Sequence, residues 1–153
     1  MNKKILTLGI AAFILCGIPT MSANAAAVPD TQAVSAEVQP KAKGLISTYR
    51  ISVSHSGKTL YINGTTLSDS SMKSIGYKNV SVEYSSDGVK WYTEKSIGDL
   101  LKSDSLSYYL NNYTVSVQGG YYYRVSCTHY AKEKGLFGSS QSVDNTSNSV
   151  WID

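Results

Sequence analysis

The chain has 153 residues, with 14 Lys and Arg against 11 Asp and Glu, and two cysteines. That length accommodates one domain of ordinary size plus a tail. The near-balance of charge argues against a nucleic-acid binder, which would show a basic stripe, and two cysteines are too few for a small disulfide-stapled fold.

Residues 1–25 have the pattern of an export signal. Lys3 and Lys4 make a short positive start, Ile5 to Ile18 form an uncharged apolar run, and Ala23-Asn24-Ala25 places small residues at −3 and −1 of a cleavage site. The expected mature chain starts at Ala26 and works outside the cell; an uncleaved anchor is the rival reading. Losing Lys3 and Lys4 takes Lys and Arg from 14 to 12 against 11 acids, a net charge of +1. Leu15 precedes Cys16 where lipidation wants a small residue, so Cys127 is expected to be the one mature cysteine. No second apolar span follows, so no stable membrane anchor is expected after cleavage. Residues 26–44 lack an apolar period and hold Pro29 and Pro40, the composition of a flexible spacer.

From residue 45 to 153 short alternating runs appear between Gly, Asn, Asp and Ser, as in an all-β domain. Tyr49, Ile51 and Val53 alternate with polar residues, Ser56-Gly57-Lys58 turns the chain, and Leu60 and Ile62 share one face of the next strand. Asn63-Gly64 ends or bulges that strand. Residues 67–78 are Ser-rich with Met72 and Ile75 three apart, which allows a single helical turn. Val80, Val82 and Tyr84 then alternate. Asp87-Gly88 is a type I′ hairpin signal, and Trp91 lies on the return strand. Residues 97–107 read as a short helix or irregular loop. Tyr113, Val115 and Val117 form another strand, and Gly119-Gly120 turns it. Tyr121, Tyr123, Val125 and Cys127 share one face of the following strand, while Tyr122, Arg124, Ser126, Thr128 and Tyr130 share the other. A loop through Gly135 and Gly138 leads to a last strand, Val150-Trp151-Ile152. The expectation is an antiparallel β-sandwich of about seven strands, immunoglobulin-like.

Two stretches carry a resemblance. Tyr121-Tyr122-Tyr123-Arg124-Val125-Ser126-Cys127 resembles strand F of fibronectin type III domains. Val82 to Gly88 with Trp91 resembles the C–C′ hairpin of the same domains. The resemblance covers about 45–153 and implies that Tyr121 is a corner tyrosine whose hydroxyl bonds upstream backbone. The wider layout is similar to a family of small secreted proteins of Firmicutes, through Tyr122 to Val125, His129, and Ser147 to Ile152; that likeness implies no activity. Ser85 to Trp91 also resembles an Asp-box hairpin, but it occurs once, and a propeller needs repeats.

Chemistry-bearing residues are few. The chain has two histidines, and a zinc site wants three or four converging ligands, so neither metal nor cofactor is expected. Cys127 and His129 fall on one strand face, which would permit a thiol–imidazole pair. The favoured alternative is a small core cysteine and a histidine at the strand end near solvent. Asp99 and Asp104, beside Tyr108 and Tyr109, invite a glycosidase comparison but read as solvated loop charges. Gly-rich stretches lack phosphate-loop spacing. The sequons at Asn63, Asn79, Asn112 and Asn145 read as composition.

Twelve tyrosines remain to be explained. Tyr122, Arg124 and Tyr130 on one face offer a binding patch for an extracellular protein or glycan, although cross-strand packing on the outer sheet face is the favoured account of such a row. The functional expectation is an exported, non-catalytic binding module. A bacteriocin-like or toxin-like effector is the alternative, and a small hydrolase the least favoured.

Overall fold

A computed structural model describes residues 44–153. The expected leader, and the expected spacer apart from its last residue, lie outside the described residues. The described chain is all-β and antiparallel, with no helix. Its strands are β1 (Thr48–Ser56), β2 (Thr59–Ser85), β3 (Tyr92–Ser116), β4 (Tyr121–Lys132), β5 (Ser140–Thr146) and β6 (Val150–Ile152). They form one sheet with β1-β2-β4-β5 in order, β3 also beside β2, and β6 also beside β4.

Six strands replace the expected seven because two of them run through segments read as breaks. The 67–78 stretch is not a helical turn; it lies inside β2, which is 27 residues long. Its register against β3 shifts between Leu67 and Met72, so extra residues are accommodated there. Met72 and Ile75, three apart and both beyond that shift, are both buried on the extended strand, in the same apolar cluster. Residues 97–107 are likewise neither helix nor loop but the middle of β3. Asn79, Asp104 and Asn112 all have positive φ, and Asn79 and Asn112 fall at register shifts of the β2–β3 ladder. Asn and Asp tolerate that conformation better than other side-chain-bearing residues.

The pairing of β2 changes along its length. Thr59 to Leu67 lies between β1 and the second half of β3, whereas Ser74 to Ser85 lies between β4 and the first half of β3. The sheet curls, and its free β1 edge is held from the other side. The Asn148 amide, between β5 and β6, donates to the Val53 carbonyl at 2.9 Å and accepts from the Val53 N–H at 3.2 Å. Gln141 on β5 accepts from the Ile46 N–H at 3.0 Å. These side chains satisfy strand-edge groups that no backbone neighbour reaches.

Two apolar clusters fill the inside. The larger holds Ile51, Val53, Leu60, Ile62, Tyr77, Val80, Val82, Val115, Tyr123, Val125, Cys127 and Ile152, among others. The smaller holds Ile46, Met72, Ile75 and Ala131. Full burial of one such side chain contributes about 1.5–3 kcal/mol. The backbone bond implied for Tyr121 is made by Tyr123 instead, whose hydroxyl donates to the Gln118 carbonyl at 2.9 Å. Tyr121 is half-buried and packs edge-on against Tyr84.

Candidate binding face

Strand β4 organises the site. Its residues alternate strictly from Tyr123 to Ala131, with odd positions buried and even ones partly exposed. The outer row is Tyr122, Arg124, Ser126, Thr128 and Tyr130, as the alternation in sequence requires.

One end of this row is aromatic and charged. Trp151 on β6 lies opposite Tyr122 in register, and the two rings meet edge to face at 4.8 Å. Both rings stay open to solvent, Tyr122 at 37% and Trp151 at 42%. Glu83 on β2 lies opposite Arg124, and the Arg124 Nε donates to its Oε2 at 2.7 Å. Glu83 Oε1 accepts from the Ser126 hydroxyl at 2.9 Å, and Ser126 in turn meets the Ser81 hydroxyl at 2.8 Å. The Arg124 guanidinium lies over the Trp91 ring at 4.1 Å, a cation–π contact that fixes both groups.

Trp91 is placed by the 86–91 connection. Sequence suggested a two-residue type I′ turn, but only Gly88 of the Asp87-Gly88 pair has positive φ. The turn is instead organised by a carboxylate. Asp87 Oδ1 accepts from the N–H groups of Val89 (2.8 Å) and Lys90 (2.9 Å) and from the Ser85 hydroxyl (2.9 Å). The Ser85 oxygen accepts from the Gly88 N–H at 2.9 Å. The Lys90 and Val89 N–H groups, then Ser85, hold the Asp87 carboxyl below its usual range. Trp91 ends up just before β3 rather than on it.

Tyr130 does not join this cluster. It lies eight residues along β4 from Tyr122, about 27 Å away at a rise of about 3.4 Å per residue. Its ring is covered by the Lys78 ammonium at 4.0 Å. Between the two ends the outer face is polar: Thr128 donates to Asp144 at 2.7 Å. Beside this pair lies an open cleft of about 400 Å³, bordered by Ser126, Thr128, Asp144, Asn145 and Thr146 and reaching the edge of Cys127.

The inner-face pair has a different use. His129 is not near solvent; it is 0% exposed, and β4 continues beyond it to Lys132. Both of its nitrogens are engaged. Thr66 Oγ1 donates to the Gly76 carbonyl at 3.2 Å and lies 2.7 Å from His129 Nδ1. A hydroxyl has one proton, so Nδ1–H donates to Thr66 and the bare Nε2 faces the Asn145 amide nitrogen at 3.4 Å. The chain Asn145–His129–Thr66–Gly76 thus runs one way, from β5 through β4 to both halves of β2. Burial pushes the imidazole down to about 4 and the Cys127 thiol up to about 12. Neither nitrogen is left for the thiol, which at neutral pH stays protonated. We expect iodoacetamide to leave Cys127 unmodified in the folded protein and to label it after unfolding; mass spectrometry reads both states, and rapid labelling of folded protein would refute this assignment.

Asp99 and Asp104 sit on β3 with separate partners. Asp99 Oδ1 accepts from the Asn79 N–H at 3.0 Å, capping the bulge there, and Asp104 pairs with Lys134 at 3.0 Å. Among the described residues no three His, Cys, Asp or Glu side chains converge as a metal site. Sequence reasoning did not single out Trp151 or Glu83 for the outer face. The signal for Glu83 was its position opposite Arg124 once the β2–β4 register is known.

No protein-family model matches this sequence, and searches of curated proteins and of solved structures also find no match.

Proposed function

We propose that this chain is an exported, non-catalytic binding module, and that the β4 outer face at Tyr122, Arg124, Trp91 and Trp151 is its contact surface for an extracellular protein. One observation carries the reading: two open aromatic rings stand beside a guanidinium already locked in place by Glu83 and Trp91. Trp, Tyr and Arg dominate the energetics of protein contacts, and groups held in advance lose little freedom on binding. A glycan fits less well, because sugars stack on open ring faces, while Trp91 has a face under the Arg124 guanidinium and Tyr122 and Trp151 stand edge to face against one another. An export leader over 1–25 is part of the same proposal.

We further propose that the curled sheet is an immunoglobulin or fibronectin type III-like sandwich. The change of partners along β2 supports it. Dividing β2 and β3 at the Leu67/Met72 shift leaves three strand segments around Thr59 to Leu67 and a second group around Ser74 to Ser85 with β4, β5 and β6. A division into two such groups is the pairing a two-sheet sandwich requires.

The test is a Tyr122→Ser/Trp151→Ser double variant, with both residues on the outer face. We expect the melting temperature to change by only a few degrees, and capture of cell-surface proteins by the purified chain to fall by about tenfold or more. Unchanged capture would remove this face from consideration, and capture of polysaccharide alone would select the glycan.

A further inference from the structure

Leu136 and Phe137 are adjacent, large and apolar, and they are 91% and 94% exposed. Single exposed apolar residues are ordinary on protein surfaces. An adjacent pair at the tip of a fastened loop is not, because the geometry prevents the side chains from turning back onto the core. The loop joins β4 to β5. Its base is closed by the Glu133 N–H donating to the Ser139 carbonyl at 2.9 Å and the Ser139 N–H donating to Glu133 Oε2 at 3.2 Å. Its tip is tightened by the Gly138 N–H reaching the Gly135 carbonyl at 3.5 Å. Gly135 has φ of 103°, and at Gly138 a Cβ would strike the Glu133 and Lys134 carbonyls. Both glycines are therefore required by the turn.

Charge decides what covers the pair. Lys132 and Lys134 lie just behind it in sequence, and the one acid between them, Glu133, is engaged at the loop base, where its carboxylate accepts from the Ser139 N–H. Lys134 touches Asp104, but both side chains are more than half exposed, and such a pair exchanges readily for another anion. We infer that this tip is a reversible docking element for an anionic bilayer, with Leu136 and Phe137 entering the acyl boundary and the two lysines meeting lipid phosphates. Apolar tips with flanking cations are the combination that interfacial binding rewards, and lysine stems are long enough to keep their charge at the headgroup level. Two side chains give weaker partitioning than the ~10⁴ M⁻¹ of one myristoyl chain, so the contact is transient. It is separate from the Tyr122/Trp151 face, which lies at the other end of β4, and either can fail without the other.

The test uses the full chain in a Cys16→Ser background, with an environment-sensitive fluorophore at Phe137→Cys or, as a control, at Val89→Cys in the 86–91 connection at the opposite end of β4. Buried Cys127 is spared by labelling the folded protein. Vesicles of phosphatidylglycerol and phosphatidylcholine in equal parts should shift the emission of the 137 label to the blue and leave the 89 label unchanged. Vesicles of phosphatidylcholine alone should do neither. In sedimentation with the anionic vesicles, Leu136→Ser/Phe137→Ser should lose about tenfold in binding at an unchanged melting temperature, and Lys132→Gln/Lys134→Gln should lose the preference for anionic lipid. Sedimentation with the 137 label still in water would mean that residues 1–25 carry the binding. That result, equal shifts at both labels, undiminished binding of the serine variant, or no binding to either vesicle would each overturn the inference.

Discussion

Replacing Gly76 by alanine should cost roughly 3–5 kcal/mol and leave little folded protein at physiological temperature. Gly76 lies where β2 is flanked on both sides, by Leu101 of β3 and Tyr130 of β4. Its φ is 148°, which residues with a Cβ rarely adopt. A Cβ there would run into the Leu100 carbonyl, which is backbone and part of the paired β3. It could be relieved only by breaking the β2–β3 ladder, and the Gly76 carbonyl also terminates the hydrogen-bond chain from His129. Gly57 gives the internal comparison: its φ is 52°, but a Cβ added there meets nothing within 4 Å. Gly57→Ala should therefore lose only about 1 kcal/mol, from backbone strain alone. Denaturant midpoints of the two variants measure the difference, and equal midpoints would show that the close approach at Gly76 costs nothing.

Period-two alternation made β1, β4 and the start of β2 legible from sequence, because apolar side chains there point one way without interruption. The outer row of β4 followed from the same rule. What the rule could not supply was continuity through bulges. Met72 and Ile75 are spaced like residues on a helix, and only the pairing of β2 with its neighbours shows that an extended chain buries both. A local signal for two of the interruptions existed, since Asn79 and Asn112, both at register shifts, are of a residue type that accepts positive φ. It was unreadable without knowing which Asn and Asp residues lay inside strands. His129 was misplaced for a related reason: an ionisable side chain is assigned to the surface unless its partners are known. Thr66 and Asn145, its two partners, lie 63 and 16 residues away in sequence.

The same distance separation divides the proposed contact residues. Tyr122, Arg124 and Tyr130 share a face by parity, but parity says nothing of distance along a strand. Cross-strand partners then decide which of them act together. Trp151 enters through β6 and Glu83 through β2, and both gather at the Tyr122 end, leaving Tyr130 with Lys78. A chain lacking an intramolecular disulfide among its described residues depends on its core and on such linkages for stability, which makes the buried histidine the next point of sensitivity.

The folded state should lose about 3 kcal/mol of stability as pH falls from 6.5 to 4, through His129 alone. Burial holds the folded imidazole down at about 4, against 6.5 in an unfolded chain. Between those values the unfolded state takes up a proton that the folded state refuses. Stability is therefore complete above about 6.5, declines through the interval, and levels off once both states are protonated. The geometry gives the refusal a cause besides low polarity, since a proton on Nε2 would face the Asn145 amide nitrogen, itself a donor. With native proteins holding only about 5–15 kcal/mol, the loss would appear as a clear fall in urea midpoint. His129→Gln supplies the control, because it stays uncharged at every pH. At neutral pH it should be less stable than the parent by about 1–3 kcal/mol, having lost its contacts with Tyr49 and Tyr77 and part of the polar chain. Its stability should fall less steeply between pH 6.5 and 4, so that the two curves converge in acid. Parallel curves over that interval would mean that the folded protein accepts the proton as readily as the unfolded chain, and that the one-way chain from Asn145 to Gly76 does not hold the ring neutral.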